Sequence, residues 1–248
     1  MVLGEIYMPK GLARETAQVV MNVVNPHAVN VAVGCSNKCR YCYVARRYHL
    51  RKDLSLPQKP PVLLVAKQLE KGLDPDGVFI SFLTDPFLDQ TRKLTEPLIE
   101  LLLDQNIRVA TLSKMGLSLT WNQELRGGMT IVSTDPKFWR TWEPNALDPK
   151  KRIQLLEHEN EIGFYTWVSI EPYPTPALWE QDILDLLEEI KFVDLIIFGK
   201  WNYEPLATGP DAEIAYRANV HDIRDFCRSH GIRLHIKADT LRFIGAKQ

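Results

Sequence analysis

Short apolar runs alternate with longer amphipathic stretches from residue 28 almost to the end of the chain. The runs Val29–Val33, Val78–Phe82, Ile107–Leu112, Met129–Ser133, Phe164–Ile170, Val193–Phe198 and Ile232–Ile236 have the length and β-branched content of buried strands. Between them the spacing predicts helices over Pro60–Lys71, Leu94–Gln105, Pro149–Ile162, Ala177–Ile190 and Tyr216–His230. Gly72, Gly163 and Gly231 stand just past three of these, where a left-handed residue commonly ends a helix. Regular strand–helix alternation predicts a parallel sheet with helices outside, and right-handed crossovers would curl it into a full or partial barrel. The Pro-containing stretch Leu54–Pro61 reads as a loop, so the organisation is an N-terminal extension, residues 1–23, and one domain, residues 24–248.

At 248 residues, 45% apolar, the chain is long enough for one large α/β domain with a substantial core. A formal net charge of −1 gives no whole-chain footprint of a dedicated nucleic-acid binder and leaves room for a local basic groove. The first residues lack a cationic segment followed by a long apolar one, and no apolar run approaches the ~18 residues of a membrane span. The reading is therefore a protein with no membrane attachment. Four cysteines in all place it in a reducing cytoplasm.

Three of those cysteines, Cys35, Cys39 and Cys42, fall within eight residues, directly after the first apolar run. Such a compact CxxxCxxC loop can converge on one soft metal centre. Iron–sulfur clusters are held by thiolates, normally four, and the loop supplies three. A cluster held this way keeps one iron open. Zinc is the alternative: it wants four ligands, which His27 or His49 would have to complete at unusual spacing. Three clustered cysteines and one remote one make a poor disulfide framework. Cys227 shares a helical face with Tyr216, Val220 and Ile223 and reads as core.

Ligands of such sheets gather at the carboxyl ends of the strands. The segments there are Ser81-Phe-Leu-Thr-Asp-Pro86, Thr111-Leu-Ser-Lys114, Ser133-Thr-Asp-Pro136, Ser169-Ile-Glu-Pro172, Gly199-Lys-Trp-Asn202 and Lys237-Ala-Asp239. Each carries a hydroxyl, carboxylate or lysine. Ser, Thr and Asp also serve as helix caps and turn openers, but Lys114 and Lys200 have no capping role at the positive end of a helix.

The cysteine spacing with Tyr41 before the last thiol resembles the signature of the radical SAM superfamily. Val24-Asn-Pro26, Gly34, Thr84-Asp-Pro86, Ser113-Lys114, Ser133-Thr-Asp135, Glu143-Pro-Asn-Ala146 and Arg152-Ile-Gln-Leu-Leu156 narrow it. In motif order these are similar to the spore photoproduct lyase-like branch, from about residue 24 to 205. The resemblance implies a partial (β/α)6-type barrel and a [4Fe–4S] cluster on Cys35, Cys39 and Cys42 whose open iron chelates S-adenosylmethionine (SAM). It implies that Tyr41 lies against the adenine, that Thr84 and Asp85 meet the SAM amino group, and that Lys114 pairs with its carboxylate. Ser133 would bond the ribose or methionyl end, and Glu171 the ribose or the substrate. Lys114 and Glu171 are thus also the candidates for catalysis. A reductase such as flavodoxin or ferredoxin would deliver the electron that cleaves SAM to methionine and a 5′-deoxyadenosyl radical, which abstracts hydrogen from substrate. At one place the resemblance departs: the lyase uses a cysteine on its second strand to return hydrogen, and this chain has Ser81, Phe82 and Leu83 there.

Arg46, Arg47, Arg51 and Lys52, interleaved with Tyr48 and His49, read either as a nucleic-acid contact beside the site or as a solvated face. With the resemblance, nucleic-acid or nucleotide modification or repair leads, a peptide or small metabolite follows, and a non-catalytic zinc or iron–sulfur protein is the alternative outside enzymes. Lys200–Tyr203 reads as an aromatic platform or as rim packing, and Trp139 and Trp142 as packing.

Overall fold

The structure, a computed structural model, describes residues 3–47, 53–120 and 122–247. Among these, eight strands form one open sheet in chain order. They are β1 (Ile6–Tyr7), β2 (His27–Val29), β3 (Gly77–Ile80), β4 (Arg108–Ser113), β5 (Leu125–Thr130), β6 (Thr166–Tyr173), β7 (Leu195–Lys200) and β8 (Arg233–Ile236). β1 pairs antiparallel with β2, and every later neighbour pair is parallel. The sheet does not close, so the architecture is a partial α/β barrel.

The helices are α1 (Gly11–Met21), α2 (Tyr43–Arg47), α3 (Pro61–Glu70), α4 (Asp89–Asp104), α5 (Pro136–Trp142), α6 (Pro149–Glu161), α7 (Ile183–Glu189), α8 (Pro210–His230) and α9 (Ala238–Phe243). Outer strand residues such as Val78, Ile80 and Val109 pack against Val65, Leu98 and Leu102 of α3 and α4. Val168, Ile170, Ile196 and Phe198 pack against Leu156, Leu186, Leu187, Tyr216, Val220 and Ile223 of α6, α7 and α8. Cys227 is buried in that layer, and burial pushes its thiol up to about 11. Gly231 ends α8 at φ 69°, a left-handed turn that glycine adopts without a Cβ clash.

Each predicted strand overlaps an observed one, with shifts that have local causes. The first ends at Val29 because the next side chain takes over the pairing: Asn30 Oδ1 accepts from the backbone N–H of Phe82 and Leu83 at 2.8 and 3.2 Å. β5 begins at Leu125, four residues before the apolar run, through Arg126-Gly127-Gly128. Gly128 is there for space: a Cβ would stand 2.1 Å from the Trp167 ring. Among the described residues between β4 and β5 there is no helix, so this parallel crossover is a loop. Helices α4 and α8 start earlier than their apolar periodicity indicates, and α7 starts later.

Residues 1–23, read as an extension, contribute β1 and α1. Ala17, Val20 and Met21 of α1 pack onto the inner face of the sheet with Ala28, Phe79, Ala110, Trp167, Leu195 and Ile197. Small residues at 28, 110 and 128 make room for this helix and for Trp167. The inner face is therefore filled from below, leaving the C-terminal strand ends as the mouth.

Candidate active site

The loop leaving β2 carries the three thiols, and long-range contacts shape it. Gly34, at φ 89°, turns the chain just before Cys35, and its N–H donates to Leu83 O at 3.0 Å. Arg40 N–H donates to Trp142 O at 2.9 Å, and Asn145 Nδ2 donates to Ser36 O at 2.8 Å. Cys39 is buried; Cys35 and Cys42 are half-buried. Burial, helped by the repulsion of Asp85, pushes the Cys35 thiol up to about 11. Burial with Glu143, Cys35 and Cys42 nearby pushes Cys39 up to about 12, against the pull of Lys114. Such thiols are poor nucleophiles at neutral pH, whereas a metal displaces their protons.

Asp85, after β3, fastens the loop to its neighbours. Its carboxylate accepts from Ser113 Oγ at 2.7 Å, Lys114 N at 2.7 Å, Phe87 N at 3.0 Å and Asn37 Nδ2 of the cysteine loop at 3.1 Å. With four protein donors on it, Asp85 is an anchor of the site. Thr84 beside it is different: its buried hydroxyl has no partner among the described residues. Lys114 is half-buried, and its ammonium, 5.3 Å from the centre of the Tyr41 ring, makes no hydrogen bond or ion pair among the described residues. Burial disfavours its charge, but the attraction of Cys39 and Glu143 more than offsets this and raises its pKa. Ser133 is buried after β5 and accepts from Asp135 N at 3.2 Å, and among the described residues its O–H has no acceptor.

Tyr41 is buried against Trp201 (ring centroids 5.1 Å apart), and its hydroxyl donates to Glu143. Glu143, 2% exposed, also pairs with the fully buried Arg152. The guanidinium is completed by Leu147 O and Thr130 O, both at 2.7 Å. The sequence marks Glu143 and Arg152 as motif positions; only the structure shows them beneath the cysteine loop. Trp201 is completely buried, packed on Trp142 at 4.8 Å, so of the 200–203 group it is Tyr203 that reaches the surface.

Glu171 stands elsewhere, on β6, four strands from the cysteine loop. It lies beside Gly199 of the neighbouring strand β7, with Lys237 just past the end of β8, the strand beyond that. Arg51, Lys52 and His49 lie outside the described residues, as do the side chains of Arg46 and Arg47, so the basic cluster has no structural account. His27 opens β2 at the end away from the thiols.

The loop fits a cubane cluster with a polar ligand. Thr84 Oγ1, Asn37 Oδ1 and Trp201 Nε1 are buried around it without partners, and such atoms in a folded protein call for an additional group. Zinc would take four ligands on one ion, whereas a cubane places three thiolates on separate irons and leaves the fourth open.

No family model matches the chain. It is 23% identical over 183 residues to the uncharacterized protein ORF301 of Acidianus two-tailed virus, covering 66% of this chain and 61% of that protein. Among solved structures, spore photoproduct lyase complexed with dinucleoside spore photoproduct superposes with a TM-score of 0.61 at 15% identity, over 85% of this chain and 76% of the lyase. Streptococcus suis SuiB bound to S-adenosylmethionine gives 0.60 at 13%, over 84% and 46%. SuiB bound to its precursor peptide SuiA gives 0.62 at 13%, over 89% and 51%. The chain thus spans about half of SuiB and 61% of the viral protein. Its fold, an open α/β sheet of partial-barrel form, is the one these structures of spore photoproduct lyase and SuiB share.

Proposed function

We propose that the chain is a radical SAM enzyme whose [4Fe–4S] cluster is held by Cys35, Cys39 and Cys42. The observation that carries this is the meeting, at the mouth of a radical SAM fold, of three thiols with unpartnered buried polar atoms and a lysine without a counter-ion. Cluster and SAM together supply one-electron cleavage of the sulfonium and hydrogen abstraction from a substrate. The chain's own residues do the rest. Lys114 offers an ammonium to a single carboxylate, which suits its flexible stem. Thr84 Oγ1 offers an acceptor to the amino group, Ser133 a donor to the ribose, and the Tyr41 backbone an edge to the adenine. Asp85, Ser113, Glu143 and Arg152 hold that constellation rigid, because a misplaced reacting group loses most of its advantage.

The favoured substrate is a nucleic acid or nucleotide, supported by the basic residues 46–52 and by the dinucleoside bound to the lyase of the same fold. Electrons would come from a flavodoxin- or ferredoxin-type reductase. Anaerobic reconstitution tests the whole reading. The expected result is a cluster whose EPR spectrum changes on adding SAM and which yields 5′-deoxyadenosine under dithionite. A colourless, tightly bound zinc with no response to SAM refutes it.

A further inference from the structure

Trp201 leaves β7 into the layer that carries the cysteine loop, and its indole N–H is a buried donor with no acceptor among the described residues. Its backbone N–H donates to Tyr216 Oη at 2.8 Å, and that hydroxyl donates in turn to Tyr173 O at 2.8 Å, so β6 and α8 together hold the residue in place. The completely buried ring stands edge-to-face with Tyr41, Trp142 and Phe138, at centroid distances of 5.1, 4.8 and 6.4 Å. The N–H therefore has no route to water. A phenylalanine would fill such a layer without carrying a donor into it, and a buried N–H left unpaired is costly. The heteroatoms around the ring narrow what this donor serves. Tyr41 Oη is engaged with Glu143, and Val132 O accepts from Gln181 Nε2 at 2.9 Å. The indole nitrogens of Trp142 and Trp179 can only donate. What remains in the layer are the sulfurs of Cys39 and Cys42.

We propose that the Trp201 indole N–H donates a hydrogen bond to a sulfur of the iron–sulfur cluster and thereby raises the cluster's reduction potential. This rests on the reading of the cysteine loop as a cluster site. A thiol sulfur is a weak acceptor. A thiolate on iron, or an inorganic sulfide beside it, carries negative charge and accepts strongly. One-electron reduction adds negative charge to those sulfurs, so the bond is stronger in the reduced cluster and favours it; hydrogen bonds to sulfur are among the controls on such potentials. Asn37 Oδ1, also buried and unpartnered, is unsuited to this role, because it is an acceptor and a cluster has no donor to give it. An N–H resting on a neighbouring ring face is the competing contact. That contact is weak and independent of iron, so the two separate by experiment.

The test uses the full chain, reconstituted anaerobically and kept free of SAM. Trp201→Phe removes the donor, and benzothienylalanine at position 201 removes it while keeping the fused rings, with sulfur in place of the N–H. Both variants should take up as much iron as the unsubstituted chain. Redox titration followed by EPR should show reduction of their clusters about tenfold less favourable, roughly 59 mV for one electron. Electron–nuclear double resonance of the reduced cluster should lose a coupling to an exchangeable proton in both. Phe138→Leu, which loosens the same layer without touching a donor, should leave the potential unchanged. Before reconstitution the benzothienylalanine variant should unfold in urea no earlier than the unsubstituted chain, since it loses only an unpaired donor. Equal potentials with clusters intact, or an equal shift in Phe138→Leu, overturns the proposal. Earlier unfolding of the cluster-free variant overturns it by giving the N–H to a ring face, and a shift that appears only on adding SAM overturns it by giving the N–H to SAM. Where Trp201→Phe fails to fold, the benzothienylalanine variant decides. Failure of the unsubstituted chain to take up iron instead defeats the reading of the cysteine loop.

Discussion

Replacing Glu143 by Gln probes the frame beneath the cysteine loop with little change of shape. The carboxylate receives Arg152 on one oxygen and the Tyr41 hydroxyl on the other. A glutamine amide can turn its oxygen to Arg152 and its nitrogen to the tyrosine oxygen, so the charge is lost and the contacts remain. Arg152, fully buried, then keeps a positive charge balanced only by the carbonyls of Leu147 and Thr130. An uncompensated charge of this kind destabilises by about 3–5 kcal/mol. Against a total of roughly 5–15 kcal/mol this is a third or more of the stability of a typical domain. Tyr41→Phe removes one hydrogen bond to a charged acceptor and should destabilise by about 1.5–3 kcal/mol. Both changes act on the same carboxylate, so the double variant should fall short of the sum by about 0.5–3 kcal/mol. Anaerobic urea unfolding of the three variants, before and after reconstitution, measures these differences. Iron content reports whether the loop still accepts a cluster. A Glu143→Gln variant within about 1 kcal/mol of the unsubstituted chain, with full iron and additive behaviour, would refute the role assigned to the pair.

Lys114→Ala should weaken SAM binding about tenfold or more, the loss of a charge-assisted contact, while iron content stays unchanged; equal affinity by calorimetry would remove Lys114 from the site. Gly128→Ala puts a methyl into the Trp167 ring and should destabilise by about 1–3 kcal/mol or more, read as a lower urea midpoint; an unchanged midpoint would mean that the ring has free space. Glu15 has a lowered pKa: burial raises it, and the His235 hydrogen bond with the Lys237 charge outweighs that. A depressed carboxyl contributes stability above its unfolded value and loses it as pH falls through the folded one. Acid unfolding should therefore be shallower in Glu15→Gln below the ordinary carboxylate range, and superimposable acid limbs would contradict the assignment.

The parts of this fold that are local in the chain are readable from it. Apolar runs and glycine stops locate β3, β4, β6, β7 and β8, because each strand is buried by its own residues. The start of β5 hides because Arg126-Gly127-Gly128 is shaped by partners outside the strand, Leu117 and Trp167, which need the missing side chains. β1 and α1 hide for a related reason: two strand residues carry no periodicity, and α1 is amphipathic toward a concave sheet face that exists only after folding. The thiols announce themselves by spacing alone. Asp85 does not announce its work, since a Thr-Asp-Pro run reads equally as a cap, a turn or a ligand contact; four donors converging from three segments decide it. Likewise the separation of 102 positions between Tyr41 and Glu143 conceals a hydrogen bond that no pattern could reveal.

The position of α1 bears on the chemistry as well as on the fold. A closed eight-stranded barrel fills its interior with layers of side chains from its own strands. The sheet here has eight strands but does not close on itself, and Ala17, Val20 and Met21 supply a layer against Phe79 and Trp167 on its inner face. On the proposed function, this packed hydrocarbon beneath the strand ends would keep water and stray hydrogen donors away from the reacting group on that side. The tie between α1 and the site is direct, because Lys237 donates to Leu12 and Thr16 while Glu15 holds His235 and Ala238. Loosening α1 should therefore disturb the Glu171 side of the mouth before it disturbs the cysteine loop, which is fastened instead by Asp85 and by the segment from Trp142 to Arg152.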